Sequence, residues 1–219
     1  MRPAGITGGI ARAGADDLED NMTFSPFPNL PGNRPPPTLV IDTREQTPLA
    51  PQRLPWTRGT LTTGDYSVLG LEDLFAVERK SIDDLVACCK SGTKAAEGER
   101  ERFERELHRL RGFRFARLLV VGTVADIEAG AYKSEIAPLA VRNSLRAFEA
   151  RYNIPVIFRS TPEAAAELVE DWAYWFAREC AGAVEKMRLA EKRAERAQEK
   201  QHARLDRTVT AGKEDCRGD

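Results

Sequence analysis

Histidine and paired cysteine are scarce in this chain: His108 and His202 are its two imidazoles, and Cys88, Cys89, Cys180 and Cys216 its four thiols, none in a C-x-x-C pair. That argues against a structural zinc site and a disulfide framework, and unpaired thiols suit an intracellular, cytoplasmic setting. Long apolar runs are also missing. None approaches the ~18 to 20 uncharged residues of a membrane helix, and the N-terminus lacks the order of a secretory signal, so membrane and export roles are not expected. Neither sign of charge dominates, with 33 Lys and Arg against 34 Asp and Glu and a net charge of −1, which sets aside a histone-like polycation. Aromatics make up only 7% of 219 residues, enough for one core. At ~150 residues per domain, the length allows one domain with appendages or two small ones.

What is present is organised in three stretches. Residues 1–37 hold Gly-Gly, a short acidic run and six prolines from Pro26 to Pro37, a composition expected to form a disordered, proline-stiffened lead. Ordered structure is expected from Thr38. Apolar runs at Leu39–Ile41, Leu74–Lys80, Phe115–Val121 and Ile154–Arg159 read as strands. Between and after them, Phe103, Leu107 and Leu110, then Val141, Leu145, Phe148 and Tyr152, then Ala165, Leu168, Val169, Trp172 and Phe176 recur at helical intervals. Strands alternating with helices of this length predict an α/β layer fold with a partly parallel sheet over residues 38–179. From 180 to 219 the composition turns to Ala, Glu, Lys and Arg, a charged helical tail expected to fray after about residue 208. Eight basic and five acidic residues fall between Glu185 and Arg207, and the 4-3-4-3 spacing of Ala183, Met187, Ala190, Ala194 and Ala197 favours a solvated helix over a coiled-coil seam, since alanine anchors poorly. The basic excess leaves contact with DNA phosphates open.

The chemistry concentrates in three clusters: Asp42-Thr43-Arg44-Glu45, Gly64-Asp65, and Glu78-Arg79-Lys80-Ser81-Ile82-Asp83-Asp84. On a strand, Glu78 and Lys80 share one face ~6.6 Å apart while Arg79 faces the other way. If the loop before that strand brings Asp65 to the same sheet end, Asp65 and Glu78 become a pair of hard oxygen donors suited to Mg²⁺, and Lys80 sits beside the nucleophilic water. Two carboxylates ~4 Å apart repel by about 4 kcal/mol at an effective dielectric near 20, which a cation would relieve.

Each cluster also has a plainer reading. Asp42, Arg44 and Glu45 suit a salt-bridge network at a strand end, Gly64-Asp65 suits a turn, and Ser81 to Asp84 has the S-x-x-D form of a helix cap. For Asp84 the cap and metal-site readings both stand. Arg100, Arg102, Arg105, Arg109 and Arg111 suit a solvated helix face, with Arg102 the first candidate for phosphate contact. His108 reads as helix surface, and Trp172, Trp175 and Phe176 as core or a dimer face rather than a base-stacking platform.

Together the order D-x-R-E, G-D, E-R-K-x-x-x-D resembles the nuclease domain of the XPF family of structure-specific DNA endonucleases, a branch of the restriction-endonuclease-like fold, over residues 38–179. The resemblance implies a central mixed sheet flanked by helices, and cutting of one DNA strand near branches, flaps or forks with Mg²⁺ or Mn²⁺, in repair, recombination or phage DNA processing. It implies Asp65, Glu78 and Asp42 as metal ligands, Lys80 serving the water, Asp42 and Asp84 completing the acidic site, and Arg44, Glu45, Arg79 and Arg102 supporting it or touching DNA. Homodimerisation through the helices after Ser134 is implied in the same way. The paired helix-hairpin-helix modules and helicase region of larger members have no counterpart here, which suggests a compact bacterial or phage-type member. A non-catalytic branch-binding subunit, or an adaptor working through its tail, is the competing reading; the loss of acidic or lysine positions expected of the subunit is not seen.

Overall fold

The computed structural model describes residues 26–90 and 94–215. A six-stranded mixed sheet is built from β1 (Leu39–Asp42), β2 (Trp56–Gly59), β3 (Tyr66–Val68), β4 (Phe75–Ser81), β5 (Phe115–Val121) and β6 (Val156–Arg159), in the order β2-β1-β3-β4-β5-β6. β1 pairs parallel with β2 and antiparallel with β3, β3 pairs antiparallel with β4, and β4, β5 and β6 run parallel. The helices are α1 (Ile82–Cys89), α2 (Lys94–Leu110), α3 (Val124–Glu128), α4 (Pro138–Tyr152) and α5 (Pro162–Asp215).

The pleat divides the interior in two. Phe75 and Val77 of β4, with Leu39 and Ile41 of β1, face α5, where Ala165, Ala173, Ala177 and Ala181 let the helix lie close to the sheet. Ala76 of β4, with Leu118 and Val120 of β5, faces α1, α2 and α4, whose buried side chains include Leu85, Phe103, Leu107 and Phe148. The stripe Val141, Leu145, Phe148 and Tyr152 is buried along α4 as its helical interval predicts. Because Ala76, Glu78 and Lys80 share parity, the two polar residues emerge on the α1–α2 face at the carboxyl end of β4.

Several expectations need correction. Residues 26–37 are not a loose lead: Leu30 is buried in the α5 core, Phe27 stacks on Tyr174 with ring centroids 4.4 Å apart, and Leu30 and Arg34 close a bridge. Two apolar anchors outweigh the proline-rich composition there, while residues 1–25 of the expected disordered lead lie outside the described residues. No break separates core from tail at Cys180, since α5 runs through it and stays helical to Asp215 rather than fraying near 208. Of the aromatic trio, Phe176 is buried and Trp172 is partly buried against the same core, while Trp175 is 57% exposed with Tyr174 at its edge and Arg178 over its ring. His108 lies on the surface as read. No helix among the described residues is long and apolar enough to cross a membrane.

Glu170 fixes α5 to the opposite sheet edge. Its buried carboxylate accepts from the backbone N–H groups of Arg53 and Leu54 and from the Arg53 guanidinium. Every donor in that clamp comes from the loop before β2, so the loop's backbone is satisfied where water is excluded.

Candidate active site

A cleft of about 700 Å³ opens at the carboxyl end of β4 and collects Asp42, Arg44, Glu45, Asp65, Glu78, Arg79, Lys80, Asp84 and Arg102, the full set picked from sequence. They arrive by different routes. Asp42 ends β1, Asp65 precedes β3, Glu78, Arg79 and Lys80 close β4, Asp84 lies in the first turn of α1, and Arg102 sits on α2.

Gly64 sets the position of Asp65. Its φ of +82° belongs to glycine, and a Cβ there would meet the Val77 carbonyl at 3.2 Å. The chain turns at once, so that the Asp65 N–H donates to the Val77 carbonyl and the Asp42 N–H to the Asp65 carbonyl, tying β1, β3 and β4 together. The Asp65 side chain then accepts from the Arg79 backbone N–H at 2.8 Å.

Glu78 is 2% exposed, and its Oε1 accepts from the Lys80 ammonium while Oε2 is buried without a donor. Burial, then the neighbouring Asp65 charge, pushes the Glu78 carboxyl well above its ordinary range. Burial likewise pushes Asp65 up to about 6, with Glu45 and Glu106 adding to the rise against the Arg79 N–H and Lys80. Lys80 moves the other way. Burial alone would lower it, but Glu78 and Glu106 outweigh that and hold the ammonium charged. Two carboxyls resisting ionisation around a buried acceptor with no donor have the chemistry of a hard-cation site. Among the described residues no three or more His, Cys, Asp or Glu side chains group to hold a metal. Asp65 and Glu78 are the residues that could hold a hard divalent cation.

Asp42 is drawn away from the role of ligand. Its Oδ1 accepts from the Arg44 N–H and Nε, and its Oδ2 from Arg44 Nη2 and the Leu61 N–H, at 2.7 to 3.0 Å. Burial would raise its pKa, but these four donors set it at about 2. With its acceptor positions occupied, Asp42 acts as the clamp of the Arg44 loop. Arg79 faces the other side of β4, as alternation requires, and its guanidinium bonds Glu45 and Thr47. Asp84 takes the capping role: Ser81 Oγ accepts from its N–H at 3.2 Å and donates to its carboxylate at 2.7 Å. It still borders the cleft.

Beyond the expected site residues, the lining includes the chemistry-bearing side chains Cys88, Glu99, Glu106 and Arg109. Glu106 reaches Lys80 Nζ at 3.5 Å from α2. The available signal was the 3-4-3 spacing of Glu99, Arg102, Glu106 and Arg109, which puts all four on one helix face. Burial pushes the Cys88 thiol up to about 11, so it stays protonated and is a poor ligand. The lining holds seven carboxylates and five cationic side chains, a formal excess of two negative charges.

The family model described as an ERCC4 domain matches residues 41–171. Among solved structures, XPF from Aeropyrum pernix is 21% identical with a TM-score of 0.48, covering 63% of this chain and 60% of that one. XPF from Aeropyrum pernix in complex with DNA is 19% identical with a TM-score of 0.50, covering 65% of this chain and 66% of that one. The chain thus spans less than two thirds of either relative's length. No curated protein matches. The matched span holds every cluster of the cleft and the sheet has the restriction-endonuclease-like arrangement of an XPF nuclease domain, so this chain belongs to the ERCC4 domain family.

Proposed function

We propose that the protein is a metal-dependent endonuclease that hydrolyses a phosphodiester bond in branched or flapped DNA, as a soluble cytoplasmic enzyme of repair, recombination or phage DNA processing. One observation carries this reading: the Glu78 oxygen without a donor stands with Asp65 in an open acidic cleft beside a charged lysine. The DNA bound by the Aeropyrum pernix relative is in keeping with that substrate.

Asp65 and Glu78 would hold Mg²⁺ or Mn²⁺, which when bound supplies Lewis-acid activation and neutralises charge at phosphorus. The rest falls to the chain itself. The Arg79 N–H fixes the Asp65 carboxylate, and the Glu45–Arg79–Thr47 contacts brace that backbone. Lys80, held charged beside Glu78 and Glu106, donates to negative charge building on the phosphoryl oxygens. Arg102 and Arg109 lie two helical turns apart at the rim, where exposed guanidiniums engage the strand through its phosphates. Self-association is part of the proposal, with Leu139 on α4 (61% exposed) as the contact to test.

The test incubates the protein with labelled flap, fork and linear duplex DNA, with Mg²⁺ or with chelator, beside Lys80→Ala and Asp65→Ala. Branched DNA is cut only with Mg²⁺, and each substitution lowers the rate by ~10²- to 10³-fold. Wild-type-like cutting in both variants overturns the site, and DNA binding without any cutting favours a non-catalytic branch-binding subunit.

A further inference from the structure

Lys80 is held by two carboxylates from different elements. Its ammonium lies against Glu78 Oε1 on its own strand and 3.5 Å from Glu106 Oε2 on α2, with the Phe103 ring centroid 5.6 Å away. The Glu78 contact is incompatible with a cation fully engaged at Glu78, because a divalent charge there repels the ammonium and competes for the same oxygens. Lys80 must then turn to another anion. Asp65 cannot serve, since it would share the cation; Glu106, 23% exposed and bordering the same cleft, stands on the lysine's other side.

We propose that Glu106 is a positioning residue that receives the Lys80 ammonium when a divalent cation takes Glu78, so that the lysine vacates the metal site without leaving the cleft. This rests on the metal-dependent reading above. Glu106 touches neither cation nor substrate; it acts through Lys80 by stabilising the position in which Glu78 is free. Its absence leaves the lysine locked on Glu78 as a competitor of the metal.

The experiment titrates Mg²⁺ calorimetrically into the DNA-free full chain for wild type, Glu106→Gln, Lys80→Met and the double variant. Glu99→Gln, which removes a cleft carboxylate that makes no ion pair with Lys80, measures the through-space charge effect. Glu106→Gln weakens Mg²⁺ by about tenfold in the wild-type background but by no more than Glu99→Gln in the Lys80→Met background. In cleavage assays the Mg²⁺ concentration for half-maximal rate rises while the rate at saturating Mg²⁺ changes less. Equal weakening in both backgrounds, or none in the first, overturns the handover. Wild type that binds no Mg²⁺ overturns the metal reading itself, a separate result. Glu106→Asp keeps the charge and restores affinity in part; if Glu106→Gln loses its helical circular dichroism, Glu106→Ala takes its place in the same cycle, with the same two results deciding.

Discussion

Asp65→Asn makes the metal-free protein more stable while lowering the cleavage rate by ~10²- to 10³-fold. The Asp65 carboxyl is pushed from 3.8 to about 6, mainly by burial. At ~1.36 kcal/mol per unit this is a folding penalty of about 3 kcal/mol once the group ionises. For a raised carboxyl the sign is fixed: below 3.8 both states hold the proton and no penalty exists. Stability falls as pH rises from 3.8 through about 6, and above that the loss is complete. Asparagine keeps an oxygen for the Arg79 N–H and removes the charge facing Glu78, so the expected gain is about 1 to 3 kcal/mol. The assay is urea unfolding in chelator between pH 3.5 and 7.5, read as the difference between variant and wild type to cancel shared titrations. That difference opens between pH 4 and 6.5. Adding Mg²⁺ at pH 7.5 restores wild type alone, by ~2.7 kcal/mol at a hundredfold excess over its dissociation constant. A variant less stable than wild type at pH 7.5, or a gap indifferent to pH, refutes the reasoning.

Asp42→Ala leaves the Leu61 and Arg44 N–H groups without their acceptor and lowers stability at pH 7 by about 2 kcal/mol in urea unfolding. Since the folded value is depressed to about 2, that contribution is full above 3.8 and fades as pH falls toward 2, so the gap between variant and wild type closes in acid. Gly64→Ala forces a side chain onto a φ of +82° against the Val77 carbonyl, and thermal unfolding should record a loss of about 1 to 2 kcal/mol together with reduced cleavage as Asp65 shifts. Arg102→Ala weakens DNA binding alike for all sequences and reduces the slope of log affinity against log salt by about 1 in a fluorescence titration; an unchanged slope removes it from the phosphate contacts.

The parts of the fold legible in sequence are those whose signal is local. Phe115–Val121 reads as a strand to the residue because its apolar run is bounded by Gly112 and Gly122. β2 and β3 are only four and three residues long and exist through pairing with β1, so no periodicity marks them. The same holds in the cleft. Glu78 and Lys80 are two residues apart on one strand and Asp65 follows a turn glycine, whereas Glu106 joins them only because Phe103 and Leu107 press α2 onto the sheet. Asp42 is the converse case: its residue type suits a metal ligand, but donors from Arg44 and Leu61, the latter 19 residues along the chain, claim its oxygens.

α5 sets how the molecule moves through solvent. At ~1.5 Å per residue its 54 residues extend about 80 Å, yet among the described side chains the last buried one is Ala181, and every one from Lys186 to Arg204 is exposed. A rod projecting from a small body raises friction far more than mass, so a monomer should elute early from a sizing column and tumble anisotropically. Subunit number is therefore to be weighed by light scattering, where shape does not imitate a second copy.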